Sequence, residues 1–341
     1  MNPADYSIIL IILTIATALV FDLINGFHDS ANSIATVVST QVLKPHTAVL
    51  WAAFFNFAAI FIFAPHVADT IAKIVKIEPN DSQFVWVIFS GLAGAILWNL
   101  FTWWLSLPTS SSHALIGGLS GAGIAYAGPD VLRYDLLLTT VEFIVISPLL
   151  GFIGGFLIML ANYWIFRNAV PMKITDFFKK AQLVSAALYS IGHGANDAQK
   201  TMGVIMALLV ASGHLTTQDH LSLNNAKTMW IIISCNLCMS LGTAFGGWRI
   251  VKTMGMRITR LKPMGGFSAE TSGAFSLFLA TYFGIPVSTT HTITAAIIGV
   301  ASVTTKFSNV KWGIAARIIW AWVLTMPAAG LVGAAIYTAG R

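Results

Sequence analysis

The sequence predicts an all-α polytopic membrane protein of about ten spans, some of them broken helices, arranged as two inverted-topology repeats. Three observations predict it. The 341 residues are 56% hydrophobic and only 9% charged. Apolar runs of about 20 residues, enough to cross a bilayer, alternate with short basic loops. Two dissimilar polar motifs recur in the same order in both halves.

An ordinary globular chain carries about a quarter charged residues, so the composition excludes a soluble protein. A transmembrane β-barrel would alternate apolar and polar residues, whereas stretches such as 46–64 and 228–248 are apolar on every side. The formal charge of +6 is spread over many loops. It forms no basic face with stacking aromatics, which excludes nucleic acid as a partner. Cys235 and Cys238 make one CxxC inside an apolar run, without the second pair that a zinc site needs, and read as small packing residues.

The first candidate span, 6–25 with a continuation to 42, follows an N-terminus lacking a basic region and an A-x-A cleavage site, so it is expected to be retained. At 1.5 Å per residue it is too long for one straight helix and is expected to break. Further spans are read at 46–68, 83–106, 107–128, 136–165, 182–211, 228–248, 268–285, 286–303 and 313–338. The loops at 166–181 (Arg167, Lys173, Lys179, Lys180) and 249–267 (Arg249, Lys252, Arg257, Arg260, Lys262) are the most basic and are placed in the cytoplasm. Alternation then puts both termini outside. Reading 107–128 and 286–303 as re-entrant hairpins would move Lys306 and Lys311 outside and weaken the bias.

The repeat is the most informative feature. Gly26-Phe27-His28-Asp29-Ser30-Ala31-Asn32-Ser33 aligns with Gly194-Ala195-Asn196-Asp197-Ala198-Gln199-Lys200-Thr201. Leu107-Pro108-Thr109-Ser110-Ser111-Ser112-His113 aligns with Ile285-Pro286-Val287-Ser288-Thr289-Thr290-His291. Five crossings between the copies turn the second half upside down. The chain therefore divides into a first repeat, 1–165, a cytoplasmic linker, 166–181, and a second repeat, 182–341. In secondary transporters of this plan the substrate sits near the bilayer midplane, where broken helices meet.

A charge near the bilayer centre costs at least about 2.5–3.5 kcal/mol, so each needs a reason. Asp29 and Asp197 occupy the same motif position, at a glycine expected to mark a break, among Asn32, Asn196, Ser30, Ser33 and Thr201. Helix capping would explain one such residue, but not the same cluster twice. In the second motif a proline ends one segment. The hydroxyls of Ser110, Ser111 and Ser112, and of Ser288, Thr289 and Thr290, then join free N–H groups and a positive dipole end, a helix start suited to an anion. Two aspartates beside an anion repel it, so cations must neutralise the site, and cotransport follows from the electrostatics.

Lys200, where the first half has Asn32, supplies one fixed positive charge. His28, opposite Asn196, brings an imidazole, the side-chain type suited to exchanging protons in the neutral range. Both lean towards protons, with His113 and His291 as further coupling candidates. Glu270, early in an apolar run and without a counterpart in the first half, reads either as a coupling group or as an interfacial residue reaching water. Asp22, Glu142 and His193 are weaker candidates. His46, His66, His214 and His220 stand at loop edges. Trp98, Trp103, Trp104, Trp320 and Trp322 fit interface belts.

Together these residues resemble the inorganic phosphate transporter family, whose signature is a duplicated Gly-Ala-Asn-Asp-x-x-Asn motif. Residues 194–197 match its start, Asp29 and Asn32 match within the other copy, and both Pro-x-Ser-[Ser/Thr]-[Ser/Thr]-His segments match. The resemblance runs from about residue 6 to 338. It implies a phosphate symporter, often a homodimer, driven by protons or sodium, with no resident cofactor and no enzymatic activity. The departures at His28 and Lys200, and the short 166–181 loop, resemble the proton-coupled bacterial branch of the cytoplasmic membrane. That branch carries phosphate partly as a neutral complex with magnesium or another divalent metal. A sulfate-carrying branch, a sodium-coupled symporter and a passive anion channel are the alternatives.

Overall fold

In the computed structural model, residues 3–76, 82–257, 259–304 and 311–340 are described. The chain ends expected outside the membrane, Met1 and Arg341, lie outside the described residues, as does Lys306. The protein is almost wholly helical: α1 (Pro3–Ser39), α2 (Pro45–Ala58), α3 (His66–Ile71), α4 (Ser82–Trp104), α5 (Ser111–Ala127), α6 (Tyr134–Ile165), α7 (Pro171–Ala211), α8 (Met229–Phe245), α9 (Trp248–Lys252), α10 (Pro263–Tyr282), α11 (Thr289–Thr304) and α12 (Trp312–Ala339).

Helices α1, α4, α6 and α12 are long and apolar enough to cross a membrane, and α8 with α9, bent by 58°, makes a fifth candidate. The shorter α2, α5 and α11 have 14, 17 and 16 residues, at or below the short end of a typical crossing, so a full crossing there needs flanking non-helical residues. Large apolar side chains lie exposed along the long helices, for example Ile12 on α1, Leu149 on α6 and Leu331 on α12. Serines, threonines, asparagines and aspartates are buried inside instead. This inside-out distribution suits a lipid surround.

The breaks expected at the motif glycines are absent. Residues 3–39 form one continuous helix of 37 residues, and α7 runs unbroken for 41. At about 1.5 Å per residue both exceed the ~30 Å hydrocarbon thickness, so they tilt or project beyond it. Gly26 and Gly194 permit close helix approach: an added Cβ at Gly26 would collide with the Met239 carbonyl of α8, and one at Gly194 with the Asn56 carbonyl of α2. Interruptions at 105–110 and 283–288, between α4 and α5 and between α10 and α11, fall where the sequence put a proline-led helix start. The basic loops are also shorter than expected, because α7 begins at Pro171, while α9 and α10 occupy much of 249–267.

Packing repeats with exchanged partners. Helix α5 lies on α12 and α11 on α6; α1 lies on α8 and α7 on α2. Both α6 and α12 carry an internal proline, Pro148 and Pro327. Gly117 and Gly121 let α5 meet the Met326 and Gly330 carbonyls of α12 directly.

Two apolar clusters flank a polar band. The first takes Ile11, Ala18 and Phe21 of α1 with Ala198, Met202, Ile205 and Leu208 of α7. The second takes Ala31, Ile34, Ala35 and Val37 of α1 with Ala186 and Tyr189 of α7. Helix α1 thus passes from the first cluster to the second, and α7 from the second to the first. The polar motifs lie where the two helices cross this band.

Candidate functional site

Local chemistry places the hydroxyls. Pro108 and Pro286 follow the ends of α4 and α10, and the next helix is opened by a serine. Ser110 Oγ accepts from the His113 backbone N–H and Ser288 Oγ from that of His291, each at 3.2 Å. These are N-cap bonds, which leave Ser111, Ser112, Thr289 and Thr290 in first turns that still hold free N–H groups.

Each aspartate meets the hydroxyls of its own half. Ser111 Oγ donates to Asp29 Oδ2 at 2.8 Å, and Thr289 Oγ1 to Asp197 Oδ2 at 3.3 Å. The halves are joined by a second pair of bonds. Asn32 Nδ2 donates to Thr290 Oγ1 at 2.9 Å and Thr289 Oγ1 at 3.2 Å. Lys200 Nζ donates to Ser112 Oγ, to the Val287 carbonyl at 3.0 Å and to Asp197 Oδ1 at 2.5 Å. Asn32 and Lys200 occupy equivalent motif positions, as do Thr290 and Ser112. The same bridge is therefore built twice, once neutral and once charged. Neither aspartate caps a helix, since both sit far inside α1 and α7.

Asp29, Asn32, Ser110, Ser111, Ser112, Asn196, Asp197, Lys200, Ser288, Thr289 and Thr290 are no more than 2% exposed. The cluster is occluded; Asn196 Oδ1 is buried without a hydrogen-bond partner, while the aspartates, Lys200, Asn32 and the hydroxyls of Ser111, Ser112, Thr289 and Thr290 bond one another. A ligand entering here must displace the Lys200–Ser112 and Asn32–Thr290 bridges. Formally the centre holds two carboxylates and one ammonium, so an anion needs additional positive charge.

The other predicted residues lie around it. His28 Nδ1 stands 2.7 Å from Asp29 Oδ1, and its Nε2 lies 3.4 Å from Thr102 Oγ1. Asn196 Nδ2 donates to Thr281 Oγ1 at 3.2 Å and to the Ile285 carbonyl at 3.3 Å. His113 and His291 face each other edge-on, with ring centres 4.8 Å apart.

Glu270 is fully buried, so the interfacial reading fails: α10 presses it against α7, where Gln182 Nε2 donates at 3.0 Å and Ser185 Oγ at 2.5 Å. Trp322 is likewise no belt residue; its ring stacks on His291 at 3.9 Å and its indole N–H donates to the Pro108 carbonyl. Glu142 is exposed on α6, and His46, His66, His214 and His220 are exposed as well.

Several groups were weak or silent in the sequence. His193 Nε2 lies 3.4 Å from Asp197 Oδ2, and its Nδ1 lies 3.3 Å from Asn56 Oδ1. One ligand atom each of Asp29, His193 and Asp197 fall within 4.8 Å of one another, a spacing on which a cation could close. Tyr189 O–H donates to the Thr289 carbonyl at 3.1 Å. His193 is a weak candidate by sequence, and Asn56 could have been suspected as an isolated polar residue in apolar surroundings. Neither belongs to a repeated motif.

Comparison with known proteins places the chain. Residues 25–333 match the phosphate transporter family. A "probable low-affinity inorganic phosphate transporter" of Rhizobium meliloti is 52% identical over 97% of this chain and 96% of its own length. One of Bacillus subtilis, with the same description, is 42% identical over 98% of both chains. The solved structure of a sodium-dependent phosphate transporter superposes with a TM-score of 0.82 at 24% identity, covering 97% of this chain and 98% of its own. That identity speaks for the fold alone. The chain belongs to the phosphate transporter family, a family of membrane transporters and not of enzymes.

Proposed function

We propose that the chain is a secondary active symporter importing inorganic phosphate with protons, and that its two motif copies form one substrate site. The observation that carries this reading is the Lys200 ammonium, bonded to Asp197 of its own half and to Ser112 of the other. It places a counter-charge at a position that is neutral in the first motif. A monoanionic phosphate then needs fewer mobile cations, and protons suffice. Asn32, Asn196 and the six hydroxyls of the paired first turns supply donors to the phosphate oxygens. His28, Asp29, Asp197, His113, His291 and Glu270 are the groups assigned to proton handling.

The exchanged helix pairs and the opposite courses of α1 and α7 favour an inverted repeat, 1–165 against 182–341 about the 166–181 linker. We read it as ten crossings in a bacterial cytoplasmic membrane, with both basic loops in the cytoplasm and the termini outside. The assembly is read as a homodimer. Part of the phosphate is read as arriving bound to magnesium or another divalent ion, which Asp29, His193 and Asp197 would face as cargo.

The test is labelled phosphate uptake into proteoliposomes under an inward proton gradient with no sodium. Accumulation against the phosphate gradient, unaffected by excess sulfate, is expected. An absolute sodium requirement would reverse the coupling, and preferential sulfate uptake would reverse the substrate.

A further inference from the structure

Asp22 lies two helical turns before Asp29 on the same face of α1 and is fully buried. Neither of its carboxyl oxygens has a hydrogen-bond partner, and Asn25 Oδ1 of α1 and Thr201 Oγ1 of α7 are also buried without one. The side chains that face the carboxyl, short of hydrogen-bond geometry, are Asn25, Thr201 and the Cys235 thiol of α8. Asp197 of α7 acts on it through space, Cys238 of α8 senses it, and α4 carries no ionisable side chain. Among the described residues, no Lys, Arg or His lies within ion-pair distance of it.

None of these four oxygens has a hydrogen-bond partner. With Asp22 ionised, a full negative charge would be buried without a cation, and the Thr201 hydroxyl, the Asn25 amide and the weakly donating Cys235 thiol around it are not in hydrogen-bond geometry. A proton on Asp22 changes this: the acid O–H can serve Asn25 Oδ1, and the other oxygen can accept from Thr201. One proton thus removes an unpaired buried charge and gives the carboxyl a donor of its own. A sodium ion fits less well, because Cys235 offers a soft thiol where a hard cation wants oxygen.

We propose that Asp22 is a proton-binding site, separate from the phosphate site, through which proton movement is coupled to phosphate movement. The proposal rests on the proton-coupled reading above. Thr201 follows Lys200 directly and lies one turn beyond Asp197, so the two sites share α7. An arriving anion favours the protonated form of Asp22, and by reciprocity a protonated Asp22 favours the anion.

The test compares wild type with Asp22→Asn in proteoliposomes whose membrane potential is clamped with valinomycin and potassium. One pH unit supports about tenfold accumulation per coupled proton. Asp22→Asn should therefore lose about tenfold in accumulation per pH unit while keeping phosphate-for-phosphate exchange, and Asp22→Glu should retain accumulation. Wild-type accumulation matched by Asp22→Asn would overturn this proposal alone, as would loss of exchange in a folded Asp22→Asn. A wild type that does not accumulate under the gradient would overturn the proton-coupled reading and this proposal with it. Should Asp22→Asn not fold, infrared difference spectra decide. Adding phosphate should raise a protonated-carboxyl band whose position differs between wild type and Asp22→Glu, and the lack of any such difference would overturn the assignment.

Discussion

Asp29→Asn and Asp197→Asn are each expected to reduce phosphate uptake by more than tenfold while leaving folded protein in the membrane. Asparagine keeps the shape and one acceptor oxygen, which can serve Ser111 or His28 at position 29 and Thr289 or Lys200 at position 197, where the ammonium also loses its carboxylate partner. The carboxylate charge is lost. A hydrogen bond to a charged group contributes about 1.5–3 kcal/mol, which alone corresponds to roughly ten- to a hundredfold in affinity. Removing either charge also removes a seat for the coupling cation. Because both residues lie mid-helix, no loss of a cap confuses the outcome. Uptake assays paired with detergent-extracted size-exclusion profiles check it; normal uptake by either variant would confine that aspartate to a structural role.

Lys200→Asn should have a comparable effect by the opposite route. Its ammonium is 1% exposed and paired at 2.5 Å with a fully buried carboxylate. Breaking a buried pair from one side costs about 3–5 kcal/mol, because the remaining charge is left uncompensated. In the variant, Asp197 must take up a proton or another cation, so proton-driven phosphate binding should weaken by tenfold or more, and added sodium should restore part of it. A purely structural pair predicts loss of folded protein that no cation repairs. Phosphate affinity measured with and without sodium separates the two. Wild-type affinity without sodium would leave Lys200 neither counter-ion nor brace.

The site was legible in the sequence to the extent that polar residues stand out in apolar runs and recur. Asp29 and Asp197, and the two serine-threonine turns, announce themselves because nothing but function or capping accounts for them there. Their mutual bonds were not legible, since Asn32–Thr290 and Lys200–Ser112 join residues far apart in the chain. Span limits were read less well. A glycine in an apolar run signals either a break or a close contact, and only the neighbouring helix decides. At Gly26 and Gly194 it is a close contact. Glu270 was ambiguous because an acid near a helix start can reach water or be buried, and Gln182 and Ser185, which bury it, lie on another helix. Trp322 looked like a belt residue by position, yet its face of α12 turns towards His291. His193 has Asn25 as its repeat counterpart, so no symmetry drew attention to it.

The central claim is that two equivalent half-sites share one built-in positive charge. Moving that charge tests it most directly. The double variant Asn32→Lys, Lys200→Asn transfers the ammonium to the equivalent position, three residues beyond Asp29 and facing Thr290. Proton-driven phosphate accumulation should be lost in each single variant and recovered, at least in part, in the double variant. A folded double variant as inactive as Lys200→Asn alone would contradict the equivalence of the halves, and with it the account of a single site built by both.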